Sequence, residues 1–232
     1  MVINAHYVEM GIHPPFIAKS KSKTARLLAD SKKFELEPDC CEPLSDKTFD
    51  KMHDLACQGP FTGFRSRVWD ITALCRFGGF CQQEYAMDYK NKVKYFNTPV
   101  GQVVRAFTME NILFRDKDRM IVRDPLLCPD LIKAVGMRYA VQKNRRNGQV
   151  IWYSRDATSP SFFPVVHALS LVCCPVILGQ SPSDTICVYR DTTDDTVYLT
   201  GTAITEYFRY VTRLIYPDID EATLAAISSH SL

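Results

Sequence analysis

Apolar residues recur at helical spacing from Ser45 onward. In "SDKTFDKMHDLACQ" they fall at Phe49, Met52, Leu55 and Ala56. This predicts an amphipathic helix, capped by Ser45 or Asp46 and stopped by Gly59-Pro60. A second helix is predicted in "RVWDITALCRFGGF", with Val68, Ile71, Leu74 and Cys75 on one face and a break at Gly78-Gly79; "CQQEYAM" adds a further turn or two. The period then shortens. "VVRAFTMENILFRD" and "RMIVRD" are short β-branched runs about a Lys117-Asp118 turn. "VGMRYAVQK" and "QVIWYSRD" alternate on either side of "NRRNG", in which Asn147-Gly148 is a hairpin signal. Residues 111–155 therefore read as an antiparallel β-unit. Helical spacing returns in "SPSFFPVVHALSLVC", with Ser159 or Ser161 near the cap. "TICVYRD" and "TVYLT" form a β-pair around a turn at Thr192–Asp195. "TAITEYFRYVTRLIY" sets Ile204, Phe208, Val211 and Ile215 on one stripe, and Asp218 or Asp220 caps a last helix in "DIDEATLAAISSHSL". Helices, then a three- or four-stranded sheet, then helices predict a mostly helical α+β domain built around a small antiparallel sheet.

Residues 1–43 differ from this. "KSKSKTARLLADSKKF" is basic, with room for a helical turn or two at Thr24–Lys33, and "ELEPDCCEPLSD" is acidic and interrupted by prolines. They read as a basic arm and a linker, with the compact domain at 44–232. The formal charge of the 232 residues is only +2, so bulk charge does not declare a nucleic-acid binder. Its distribution says more. Lys19, Lys21 and Lys23 lead one basic cluster; Arg138, Lys143, Arg145, Arg146 and Arg155 make another. Separated patches on a near-neutral chain suggest a localised anionic contact.

The nine cysteines include no CxxC, and the histidines are not spaced for zinc, so no metal and no cofactor is expected. The start lacks the charged-then-apolar pattern of a signal peptide. The apolar run Val165–Leu178 is too short to span a bilayer and is interrupted by Pro175. The expectation is a soluble, reduced, intracellular protein without a membrane contact.

Three segments, in this order, resemble the catalytic domain of the tyrosine recombinases (phage-integrase family), as found in eukaryotic mobile elements. The first is "WDITALCRFGGFCQQEYAMD", where Glu84 follows three residues after Cys81. The second is the hairpin "RYAVQKNRRNGQVIWY", with Lys143 just before its turn. The third is "ISSHSL", which matches the family's His-Ser-Leu-Arg up to the residue before the arginine. The resemblance implies the fold of a DNA breaking-rejoining catalytic domain. It implies phosphodiester chemistry by a tyrosine, with arginine forks, a lysine and a histidine around the phosphate. Negative charge gathers on the non-bridging oxygens in that transition state, and guanidinium forks match its geometry.

Carried over residue by residue, Lys143 is the catalytic lysine and His230 the histidine. Cys81 stands where the first arginine is expected, and Arg65 in "FTGFRSRVWD" is the rival for that place. Arg138, Arg145, Arg146 and the arm lysines Lys19, Lys21 and Lys23 would touch DNA backbone. Tyr207, Tyr210 and Tyr216 precede His230, so none is the nucleophile by order; they read as core or helix-surface aromatics.

The expected function is a C-terminally truncated, inactive recombinase or integrase-like protein, derived from a mobile element. It would be nuclear in a eukaryote and would bind DNA weakly through its backbone. Leu224, Ala226 and Ile227 would border a groove left open by the missing helices, inviting self-association. The alternative is a non-catalytic protein- or DNA-binding module that keeps the fold. A third reading, a cysteine enzyme pairing Cys81 with His53 or His167, lacks any motif that would lower the thiol pKa beyond a helix start.

Overall fold

The computed structural model describes residues 43–80, 82–87, 95–98, 101–104, 106–140, 147–155 and 163–228. The chain divides after Cys41 into two units, and all described residues belong to the second, Glu42–Leu232. Helix α1 spans Asp46–Cys57. Ser45 is its cap: the Thr48 N–H donates to Ser45 Oγ at 3.2 Å, satisfying one of the free amides of the first turn. Helix α2, Phe64–Gly78, starts earlier than its apolar stripe suggests, because Gly63 takes the extended N-cap conformation. Gly79 ends it in the left-handed region at φ 57°, donating to the Cys75 carbonyl at 2.8 Å. A short α3, Gln82–Tyr85, follows.

Strands β1 (Tyr95–Thr98) and β2 (Gly101–Val104) make an antiparallel hairpin of their own. The central sheet has three strands in the order β3-β4-β5, all antiparallel: β3 Ile112–Arg115, β4 Ala134–Arg138 and β5 Val150–Ser154. "RMIVRD" is not a strand of it. Asp116 Oδ1 accepts from the Asp118 and Met120 N–H groups at 2.9 Å each, and Arg119 turns left-handed at φ 64°. This local turn leaves only an isolated bridge between Arg115 and Ile121, and β3 pairs with β4 instead.

Nor do Asn147 and Gly148 close a two-residue hairpin. The Gly148 N–H donates to the Tyr139 carbonyl at 2.6 Å and the Tyr139 N–H to Gln149 at 3.1 Å, so β4 stops at Arg138 and the loop opens at Tyr139.

Helix α4 is Pro164–Ile177. Its N-cap is Phe163, and Pro164 in the first turn needs no N–H and already holds a helical φ; Ser159 and Ser161 lie outside the described residues, and the helix runs on through Pro175. Strands β6 (Val188–Arg190) and β7 (Thr196–Tyr198) pair antiparallel. Helix α5 is Gly201–Ile215 and α6 Glu221–Ala226, the latter capped by Asp220 rather than Asp218. The last helix ends at Ala226, with Ile227 extended.

α2 packs between α1 and α4, α1 also meets α5, and α4 lies against β4 and β5. Val68, Ile71 and Leu74 of α2 share this core with Leu171, Phe208 and Met137. Leu224 and Ile227 are each only 4% exposed. Both belong to the core, while Ala226, named with them, is half-buried. Among the described residues no helix is long and apolar enough to cross a membrane.

Candidate functional site

Of the candidate catalytic and DNA-contact residues that the resemblance implies, Arg65 and Arg138 are described. Arg65 is exposed in the first turn of α2; Arg138 is exposed at the end of β4, paired with Val150. Lys143, Arg145 and Arg146 belong to the β4–β5 connection and lie outside the described residues, as do Cys81, His230, Lys19, Lys21 and Lys23.

The Arg65 turn is built tightly. Gly59-Pro60 ends α1, and the Gly63 N–H donates back to the Pro60 carbonyl at 2.9 Å. The Ser66 hydroxyl donates to Pro60 O at 3.0 Å and to Ala56 O at 3.2 Å. From the other side, the Arg190 N–H donates to the Thr62 carbonyl at 2.8 Å, bridging the turn to β6. A Cβ on Gly63 would come within 2.8 Å of Pro60 Cγ and 3.1 Å of its oxygen, so close approach is what requires glycine there.

Gly63 offers no side-chain cap, and the first turn of this 15-residue helix holds no acid. Among the described residues, no side-chain cap and no first-turn acid answers the positive end of the helix dipole. Phe64 packs edge-on against Tyr189 and Tyr207, at ring-centroid distances of 5.2 and 5.5 Å. Tyr207 is 6% exposed, and its hydroxyl has no hydrogen-bond partner among the described residues. Burial pushes this phenol up to about 12, against an opposing pull from Arg65. It therefore stays a neutral O–H donor. An exposed guanidinium and an uncapped helix start suit an oxyanion.

A second polar cluster lies between α2 and α4. Arg67 is fully buried, with Nη2 2.8 Å from Asp70 Oδ2. His167 Nδ1 is 2.8 Å from Asp70 Oδ1; the carboxylate accepts, so this nitrogen carries the proton. The Ser170 hydroxyl donates to Asp70 Oδ2 at 2.6 Å and accepts from Arg67 Nη2 at 2.8 Å, while Arg67 Nη1 donates to the Ser170 carbonyl at 2.6 Å. The residue types invite a triad reading, but the geometry opposes it. Ser170 hydrogen-bonds Asp70 directly instead of being activated through the imidazole, and Arg67 neutralises the carboxylate. The cluster joins two helices; Arg67 Nε, buried without a partner, is its one gap.

Cysteine chemistry finds no support among the described buried thiols. Burial pushes Cys75 well up, with Cys187 and Glu84 adding to it, and pushes Cys187 up to about 12. His167 is held by Asp70, and His53 lies edge-on to Trp69 and beside Asp54, with Cys57 Sγ one helical turn away at 3.5 Å. Among the described residues no group of three or more His, Cys, Asp or Glu side chains could hold a metal ion.

Sequence reading did not single out Arg67, Asp70, Ser170 or the environment of Tyr207. The available signal was a charged i, i+3 pair on the apolar stripe of α2. A scan against protein-family models, a search of curated proteins and a search of solved structures each found no match to this chain.

Proposed function

We propose that this chain binds the phosphodiester backbone of DNA as a tyrosine-recombinase-like catalytic domain, with Arg65 in the place of the first arginine. The observation that carries the reading is the open first turn of α2: Arg65 is exposed there, at an uncapped and acid-free helix start. The rival position for that arginine, Cys81, is a thiol and offers no fork. Arg65 follows the break between α1 and α2 and sits inside the helix rather than before it. Helices precede a three-stranded antiparallel sheet and helices follow it, in the order the resemblance implies. Lys143 falls in the β4–β5 connection, and His230 follows α6.

Fluorescence anisotropy of a labelled duplex, repeated over a salt series, tests this. Affinity should fall with a slope of about −0.9 per phosphate neutralised. Arg65→Ala should weaken binding about tenfold, in the range of a lost charge-assisted hydrogen bond. A flat salt response refutes the reading.

A further inference from the structure

The alternation of β3-β4-β5 turns Ile112, Phe114, Val135 and Met137 into the core. The opposite face carries Arg115, Gly136, Arg138, Val150 and Trp152. Gly136 has a clear purpose there: a Cβ would come within 2.9 Å of the Trp152 ring and 2.7 Å of Val150 Cγ1. Its absence lets the indole lie across β4. The Arg115 guanidinium then stacks on that indole, its central carbon 3.6 Å from the ring centroid.

Nothing among the described residues answers these charges. "ILFR", "AVGMR" and "VIWYS" hold two arginines and no acid. The adjacent Asp116 spends one carboxylate oxygen on its own turn, and no described carboxylate pairs with Arg115 or Arg138. Arg115 Nε is buried without a partner. Basic residues also gather at the strand ends: the Lys133 N–H donates to Arg115 O at 2.8 Å and the Arg155 N–H to Lys133 O at 2.7 Å.

We propose that this sheet face is a second contact for nucleic-acid backbone, with the Trp152-stacked Arg115 and the exposed Arg138 each taking phosphodiester oxygens. The inference rests on the reading that the partner is nucleic acid. Stacking holds the guanidinium plane flat and leaves its in-plane N–H edge for an oxyanion. Spacing selects a polyanion over a free phosphate. Ala134 is the register partner of Arg115, and Arg138 stands four residues further along β4, about 13 Å at the rise of a strand. One phosphate ion does not span that distance; a chain of phosphates does.

The test uses the full chain and a labelled 20-base-pair duplex over a salt series. Arg115→Gln and Arg138→Glu should each lower affinity several-fold. The double variant Arg115→Gln/Arg138→Gln should reduce the salt slope by roughly two phosphates' worth, about 1.8. Trp152 fluorescence should change on DNA addition, and inorganic phosphate alone should not reproduce the change. Arg138 is exposed at a strand end, so its variant should leave the melting temperature unchanged and guards against misfolding of the Arg115 variant.

If the double variant keeps the full affinity and slope while Arg65→Ala loses them, this face makes no contact and the Arg65 reading stands. If the double variant loses affinity and Arg65→Ala does not, the face stands and the Arg65 site falls. No binding by the unaltered chain overturns both.

Discussion

The α2–α4 seam and the outer face of the central sheet both hold arginine against an aromatic ring, and they answer its charge in opposite ways. In the seam, Phe61 covers the guanidinium of Arg67 at 4.5 Å, and Asp70 and Ser170 take its nitrogens. On the sheet, Trp152 supports Arg115 and no described acid meets it. A buried cation must be matched within the fold or its desolvation is uncompensated. Arg115 is half-buried: its Nε is enclosed, and the open edge of its guanidinium is left to water until a ligand replaces it. The same side chain is thus structural in one place and available in the other.

The comparison breaks most readily at the seam. Asp70→Ala leaves Arg67 and His167 buried without their shared carboxylate, and should destabilise the protein by about 3–5 kcal/mol in urea unfolding. A smaller loss would mean that water enters and the seam is not closed. Next is Gly136→Ala, which should cost about 1–3 kcal/mol, as overpacking does. It should also shift Trp152 emission as the indole is pushed off the sheet; unchanged emission would show that the strand yields instead.

Arg115→Ala should cost only about 0.5–1 kcal/mol, the size of an exposed cation–π contact. A loss as large as that of Asp70→Ala would make the two regions alike and remove the contrast.

Acid gives the smallest effect and is read at two surface carboxylates. The Thr193 hydroxyl, then the Asp195 amide, hold Asp191 below its ordinary 3.8; the Thr223 hydroxyl and amide do the same for Asp220. Depressed values mean stabilisation that is complete above 3.8 and lost as pH falls through the folded values. The Thr193 and Thr223 amide shifts should therefore stay flat down to about pH 4 and move only below it. Movement near neutral pH would contradict these caps.

Local features were legible in the sequence. Ser45 capping α1 and the stripe of Ile204, Phe208 and Val211 on α5 depend on residues within a few positions, and both stand in the structure. The β-strand order was less so. "RMIVRD" has strand composition, but Asp116 folds the chain back on itself first, a competition that composition does not weigh. The buried cluster was illegible for a different reason. His167 and Ser170 reach Asp70 from 97 and 100 residues away, and no local pattern reports that meeting. For the candidate site, "FTGFR" displayed Arg65 but not the tether from Arg190 that holds its turn. Gly136 was passed over, although a glycine within a strand is the kind of residue that marks a close approach; nothing local says that Trp152 and Val150 make it.

The turn from Pro60 to Arg65 is tied to α1, to its own helix and to β6 before any ligand arrives. Ordering one backbone residue costs about 1–2 kcal/mol of conformational entropy, and here folding has already met that cost. An anion seated on the Phe64 and Arg65 amides would need only the Arg65 side chain to settle. Its association should therefore carry a small entropic penalty, and the loop's amide exchange rates should be nearly the same with and without ligand.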